Sequence, residues 1–304
     1  MTQLIFHHYP PSPVAEKVRI AFGMKSLSWQ SVEIPRLPPK PLLMPLTGGY
    51  RRTPVAQIGA DIYGDSQNIF RMLDEQMGGP QLVTGLSMAL ASWSESVLFA
   101  LALRVVLTNA MDDAPPEFIQ DRGSLYFDKG WTKAQMKADL PAFIQQLQAG
   151  LSLLERHASQ SGDYLFGDAP SQADANLHYL LWFINGRWDG GPEFLSRFPH
   201  LLAIQEKLLA SGTGTARDLS GEEALAIARA AEPKSPTGIF CPNPQNLEVG
   251  DEVIVRQAGD TADPDIHGKL RMLDETRISL DMHNDDIGHS ALHLPVLGYM
   301  IKKV

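Results

Sequence analysis

The 304-residue chain reads as a multidomain protein: an α/β domain, an all-α domain and a small β barrel in succession. Three observations carry that reading. Residues 4–77 alternate strand-like and helix-like patterns, and residues 86–231 keep helical periodicity with few β-branched runs. From Pro233 onward, Val, Ile, Gly and Asp dominate short segments. The length exceeds the roughly 100–200 residues of one domain. Turn-forming residues at Gly78-Gly79-Pro80 and Glu232-Pro233-Lys234 mark the changes, giving domains 1–79, 80–232 and 233–304.

In the first segment Leu4 to Tyr9 is a short apolar strand stopped by Pro10-Pro11. Ser12 stands at a helix N-cap with Pro13 at the first helical position, where its fixed φ and missing N–H are suited. Val14, Val18, Ile20, Ala21 and Phe22 give that helix an apolar face, and Gly23 ends it. Trp29 to Ile34 alternates as a second strand, and Pro35 to Pro45 is too proline-rich for helix or central strand. Thr53 to Ile58 and Asp61 to Tyr63 form a hairpin turning at Gly59-Ala60, and Asp65-Ser66 opens a helix through Leu73. The resulting order, β-α-β-loop-β-β-α, is the thioredoxin-like order.

The middle segment has apolar-periodic stretches at 86–108, 133–158, 172–185, 200–211 and 221–231, with 112–130 as a long lid or packed connection. After Leu247, strands are expected at Val249 to Arg256, Gly268 to Leu273, Arg277 to Met282, Ala291 to Leu294 and Tyr299 to Ile301. Their number and their Asp, Gly and Asn turns suggest a small barrel of SH3-like or OB-like kind.

Composition excludes several functions. A net charge of -9 and the lack of any run of five basic residues speak against nucleic acid. Acidic loops holding Asp260, Asp263, Asp265, Asp285 and Asp286 extend that exclusion to the C-terminal strands. The longest apolar run, Val97 to Leu107, contains Arg104 and is shorter than the roughly 20 residues of a spanning helix, so it reads as a buried helix and no membrane is expected. Met1-Thr2-Gln3 enters a strand without a secretory pattern, which sets a cytoplasmic expectation. The single cysteine, Cys241, leaves no intrachain disulfide. His7, His8, His178, His283, His289 and His293 are scattered without ligand spacing, so no metal is expected.

Four motifs resemble the glutathione S-transferase superfamily over residues 4–231. Tyr9-Pro-Pro-Ser12-Pro with Arg19 seven residues on looks like the strand-to-helix turn of its serine and cysteine classes. Arg51-Arg52-Thr53-Pro54-Val55 resembles the segment carrying its cis-proline, and Asp65-Ser66 its acidic-Ser pair at a helix start. Gly167-Asp168-Ala-Pro170-Ser171-Gln-Ala-Asp174 resembles its buried capping motif.

The resemblance implies a thioredoxin-like domain and a helical domain, with glutathione as co-substrate and no metal. Ser12 would stabilise the glutathione thiolate through its hydroxyl and the helix N-terminus, with Tyr9 as rival donor. Thr53, before Pro54, would hold the cysteinyl moiety through main-chain atoms. Ser66 would take the γ-glutamyl carboxylate and Asp65 its ammonium, while Lys40 is a candidate for the glycyl carboxylate. The acceptor pocket would lie between the domains, lined by the first helical-domain helix with Trp93, Ser96, Phe99 and Ala100 as candidates, although residues at this spacing are more often core than ligand contacts. A homodimer conjugating glutathione to a small hydrophobic electrophile is the leading expectation. Two alternatives stand beside it: a glutathione-dependent isomerase, dehalogenase or lyase, and a non-catalytic protein of this fold whose β module binds a partner.

Overall fold

The apolar stretch that opens the chain forms strand β1 (Ile5–His8), buried at all of its positions and followed directly by helix α1 (Pro13–Met24). The computed structural model describes residues 3–259 and 261–304; Met1, Thr2 and Asp260 lie outside the described residues. Next come β2 (Ser28–Glu33), α2 (Met44–Thr47), β3 (Val55–Ile58), β4 (Asp61–Gly64) and α3 (Ser66–Gln76). Helices α4 (Gly85–Trp93) and α5 (Ala100–Ala110) are joined by a π-helical stretch, Ser94–Phe99. They lead to α6 (Pro116–Tyr126), α7 (Lys133–Ala158), α8 (Gln172–Arg187), α9 (Gly191–Leu195) and α10 (Pro199–Ala210). The chain then runs through β5 (Thr215–Asp218), α11 (Gly221–Arg229), β6 (Gly238–Ile239), β7 (Glu252–Gln257), β8 (Ile266–Leu273), β9 (Arg277–Asn284), β10 (Gly288–Pro295) and β11 (Tyr299–Lys303).

Two compact units are distinguished: residues 3–15, 27–77 and 215–304 make one, and residues 16–26 with 78–214 the other. The first unit contains one sheet in the order β11-β7-β8-β9-β10-β4-β3-β1-β2-β5, with β6 beside β8. The β-α-β-β-α order of the thioredoxin-like part is present as expected. The five C-terminal strands are present too, but they do not make the separate SH3-like or OB-like barrel expected for 233–304. Instead β10 lies parallel to β4, with Ala291, Leu292 and His293 opposite Asp61, Ile62 and Tyr63, so the strands continue the first domain's sheet. The physical reason is in β10 itself: Ser290 to Pro295 are buried on both faces, as in a strand flanked on two sides rather than one alternating between core and solvent. A single apolar cluster accordingly includes Ile5, Val55 and Ile62 with Val253, Leu280, Leu292 and Ile301.

Further differences have equally local causes. Helix α11, expected with the helical domain, belongs to the sheet-bearing unit; its Ala224 and Ala228 are buried there, and the Ala224 carbonyl accepts from Gln57 Nε2 at 2.9 Å. Strand β5 pairs with β2 at the sheet's other edge and is exposed throughout, which is why no apolar alternation marks it. The long 112–130 connection holds helix α6, opened by Pro116 at its first position. The proline-rich 35–45 connection ends in the short α2 and contains a cis Pro38-Pro39 bond.

Three buried polar links bind the sheet. His7 Nε2 donates to Gln57 Oε1 (2.8 Å) across β1 and β3. Ser279 on β9 donates to His293 Nδ1 (2.7 Å), and His293 Nε2 donates to Asp61 Oδ1 (3.0 Å) on β4. That Ser-His-Asp chain has the order of a hydrolase triad, yet Ser279 and His293 are fully buried, so it acts as a clasp between β9, β10 and β4.

In the second unit α5 packs on α7, and α4 and α10 pack on α8. The expected capping motif is present: Asp174 accepts from Leu165 N–H (2.8 Å), Ser171 N–H (2.8 Å) and Ser171 Oγ (2.7 Å). Arg19 pairs with Glu16 (2.6 Å), which also receives His178 (3.1 Å), and the buried Lys17 pairs with Glu95. Burial would raise the Glu16 pKa, but the hydrogen bonds and positive charge of His178 and Arg19 carry it below the ordinary value. The segment Gly85–Ala110 is long and apolar enough to cross a membrane by length and composition, but 56% of its most apolar window is buried inside the protein, as in a core helix.

Two outcomes test this architecture. Leu292→Ala removes a fully buried side chain opposite Ile62 and is expected to cost about 2–5 kcal/mol in urea unfolding, against near-neutrality for a strand outside the shared core. Burial presses the His7 imidazole from 6.5 down to about 4, partly offset by the Gln57 bond. The unfolded chain takes up a proton below 6.5 that the folded chain refuses, so this stability is present above that pH and is lost as pH falls toward 4. Between pH 7.5 and 4.5, His7→Gln is expected to lose about 2–3 kcal/mol less than the parent; equal losses would remove the assignment.

Candidate functional site

Strand register gathers the candidate residues at one end of the sheet. β1 and β3 are antiparallel with His7 opposite Val55, and β3 and β4 are antiparallel with Val55 opposite Gly64. The end of β1, the start of β3 and the end of β4 therefore coincide. Tyr9 and Ser12 follow the first, Thr53-Pro54 precedes the second, and Asp65-Ser66 follows the third.

Ser12 is 2% exposed. Its N–H donates to the Tyr9 carbonyl (3.0 Å), making the turn, and its Oγ accepts from Ala15 N–H (3.2 Å) as the α1 N-cap. That bond uses a lone pair and leaves the hydroxyl proton for donation elsewhere. Tyr9 belongs to the apolar cluster, with the Arg36 guanidinium 6.0 Å from its ring centroid.

The Thr53-Pro54 peptide bond is cis. Among the described residues, the Thr53 main-chain N–H and C=O have no hydrogen-bond partner. Lys40 is brought to the same spot: Nζ donates to Thr53 Oγ1 and to the Arg51 carbonyl, each at 2.9 Å, with Lys40 4% exposed.

Asp65 holds φ at +68°, a backbone region that L side chains adopt at a cost of roughly 1–3 kcal/mol. Three bonds keep it there. Its N–H donates to Tyr50 Oη (2.9 Å), its Oδ1 accepts from Gln67 N–H (2.9 Å) as the α3 N-cap, and its Oδ2 accepts from Tyr299 Oη (3.1 Å). Gly64 admits the Tyr50 ring, since a Cβ there would lie 3.2 Å from it and 2.8 Å from Leu294. Burial, and then the Asp65 charge, push the Tyr50 hydroxyl far above its ordinary pKa, so it stays protonated. Ser66, the next residue, is buried at the first position of α3.

Sequence reasoning missed the contribution of the C-terminal strands and of Tyr50. Arg52 donates Nε and Nη2 to Asp263 Oδ2 (3.0 and 2.6 Å), and Tyr299 reaches Asp65. No local pattern marks either pair, whose members stand 211 and 234 residues apart. The acceptor candidates sit on and beside the π-helical stretch: Phe99 packs at 5.0 and 5.7 Å on Tyr179 and Phe183 as core, whereas Ser96 is exposed. Five of the six histidines named above make protein contacts: His7, His178 and His293 as above, His8 with Ser31, and His289 with Glu232 and Asp281.

A thioredoxin-like sheet with this arrangement at its end, in a chain that also carries a helical unit with the Asp174 cap, defines a class that sequence comparison makes definite. The profile "Glutathione S-transferase, N-terminal domain" matches residues 6–81 and "Glutathione S-transferase, C-terminal domain" residues 137–204. A GST-like protein from Pseudomonas syringae is 33% identical, each chain being covered in full, with a TM-score of 0.77. A glutathione S-transferase from Methylobacterium radiotolerans, solved with glutathione sulfonate, is 20% identical over 72% of this chain and 98% of its own, with a TM-score of 0.51. A β-etherase from Sphingobium sp. strain SYK-6 shares the fold at 14% identity, over 69% of this chain and 96% of its own, with a TM-score of 0.52. No curated protein matches the chain. The chain belongs to the glutathione S-transferase superfamily.

Tyr50→Phe deprives the Asp65 N–H of its acceptor while keeping the ring, and is expected to destabilise by about 1–2 kcal/mol in urea unfolding. Unchanged stability would mean that the Tyr50 bond does not hold the positive φ.

Proposed function

We propose that the protein is a glutathione S-transferase that activates the glutathione thiol at Ser12 and conjugates it to a small hydrophobic electrophile. The observation that carries this reading is the convergence of Ser12, Thr53-Pro54, Lys40 and Asp65-Ser66 at one end of the sheet. Relatives of the same fold solved with glutathione or glutathione sulfonate support the choice of donor.

The thiol gives its proton to solvent, the Ser12 hydroxyl keeps its own and donates a hydrogen bond to the thiolate sulfur, and the first N–H groups of α1 add their positive end. Both favour the ionised form, lowering the thiol from about 8.5 toward neutral pH. The Thr53 N–H and C=O pair with the cysteinyl main chain. Ser66 N–H and hydroxyl take the γ-glutamyl carboxylate, Asp65 faces the ammonium, and Lys40 offers a positive charge to the glycyl carboxylate. The thiolate sulfur then forms a bond to the electrophilic carbon, and the leaving group departs with the electron pair.

The protein is read as a cytoplasmic homodimer by family resemblance. The same donor site would serve an isomerase, dehalogenase or lyase with a different acceptor pocket, and the fold shared with a β-etherase keeps that reaction class in view. The non-catalytic alternative is a protein of this fold whose C-terminal strands, which pair with β4, bind a partner.

Calorimetric titration is expected to show glutathione binding, with turnover of an activated aryl halide. Ser12→Ala should lower kcat by about 100-fold with little change in the glutathione KM, as for loss of one preorganised donor to a developing anion. Failure of the parent to bind glutathione would end the reading, and full turnover in Ser12→Ala would move thiolate stabilisation to Tyr9 or to the helix N-terminus.

A further inference from the structure

The C-terminal strands bring side chains to the end of the sheet that carries the donor site. β10 is parallel to β4, so its end coincides with Asp65, and β11 begins there at Tyr299 after a short turn. β11 is antiparallel to β7 with Tyr299 opposite Gln257, so the loop that opens at Ala258 starts at the same end. Tyr299 Oη accepts from Gln257 Nε2 (3.1 Å) and donates to Asp65 Oδ2 (3.1 Å). In the loop, Asp263 receives Arg52 and also Thr261 Oγ1 (2.8 Å). Tyr50, Gln257, Asp263, Pro264 and Tyr299 are among the residues lining a space of about 10 Å³, room for at most one water.

A carboxylate that recognises an ammonium group must present its oxygens in one orientation, because rotation about the Cβ–Cγ bond moves the acceptor lone pairs off the ligand. Gln67 N–H holds one oxygen of Asp65 and Tyr299 the other, which stops that rotation from both sides. Burial, together with the negative charge of Asp65, raises the Tyr299 pKa well above its ordinary value, so the phenol remains a donor throughout the working pH range.

We propose that Tyr299 is a positioning residue for Asp65, orienting its carboxylate toward the α-ammonium of a γ-glutamyl donor. The C-terminal strands are thereby part of the donor site and set its preference for donors bearing that ammonium. The inference rests on the glutathione reading of the site.

The test compares full-length parent and Tyr299→Phe with two donors: glutathione and its glutaryl analogue, in which hydrogen replaces the α-amino group. Calorimetry gives the affinities and aryl-halide conjugation gives kcat and KM. The parent is expected to prefer glutathione over the analogue by about 10-fold or more. In Tyr299→Phe, glutathione affinity should fall by about 5- to 10-fold and its KM rise in parallel, with kcat and the analogue's affinity unchanged. Equal losses for both donors, an unchanged preference in the variant, or no preference in the parent would each overturn the role. If the parent binds neither donor, the glutathione reading falls and this inference with it, whereas binding with an unaltered preference removes this inference alone. Should Tyr299→Phe fail to fold, Gln257→Leu, which frees the Tyr299 hydroxyl from its other partner, is read by the same ratio and is expected to shift it in the same direction.

Discussion

The parallel pairing of β10 with β4 is the contact on which the rest of the sheet-bearing unit depends. Without it β4 would be an edge strand offering a row of unpaired N–H and C=O groups. With it, one sheet runs from β5 to β11 and one apolar cluster spans strands that are more than 200 residues apart in the chain. Parallel strands require a long crossover, and here the intervening chain includes the helical unit. The pairing is thus non-local, joining a strand from the C-terminal part of the sequence to one from the N-terminal part. The Ser279-His293-Asp61 clasp sits across this seam, and its hydrogen bonds are satisfied only when β4, β9 and β10 are in register. A register slip of one residue would turn His293 to the other face and leave Asp61 buried without it.

The same seam explains how a strained residue is maintained. Asp65 follows β4 at a positive φ, and its roughly 1–3 kcal/mol cost is matched by three hydrogen bonds worth about 1 kcal/mol each. One of those bonds comes from the neighbouring α3 turn and one from Tyr50, but the third comes from β11. Backbone strain before α3 and side-chain orientation toward a ligand are therefore supported from two distant parts of the chain.

How much of this was legible in the sequence depended on distance along it. Ser12 before Pro13, Thr53-Pro54 between the hairpin strand and the loop, and the Ser171 to Asp174 box are short-range patterns, and each appears in the structure where its local chemistry placed it. Family resemblance was equally legible, because it rests on those same patterns. The joining of the C-terminal strands to the sheet was not. Five short strands with polar turns describe a small barrel and an extended meander equally well, since both are built from the same hairpins. The discriminating signal was faint: Ser290 to Leu294 keep small or apolar residues on both faces, and the only polar exceptions, Ser290 and His293, are buried. Helix α11 misled for a related reason. Its alanine-rich face fits a helical bundle as readily as a sheet, and Gln57, which binds its backbone, is remote in sequence.

What the C-terminal strands add to function follows from where rigidity is needed. In the proposed donor site a thiolate would be held by Ser12 and the start of α1, both fixed by the turn from β1. In that proposal the far end of a tripeptide donor would be recognised at the start of α3, which without β10 would lie beside an open sheet edge. A continuous sheet turns that edge into an interior position, and groups on strands hold geometry more closely than groups on loops. Tyr299 at the first position of β11 and Gln257 at the last of β7 are paired strand residues, so the carboxylate they brace inherits the sheet's register. The C-terminal strands and the start of α3 are in this sense one construction, and a change at Tyr299 is felt at Asp65.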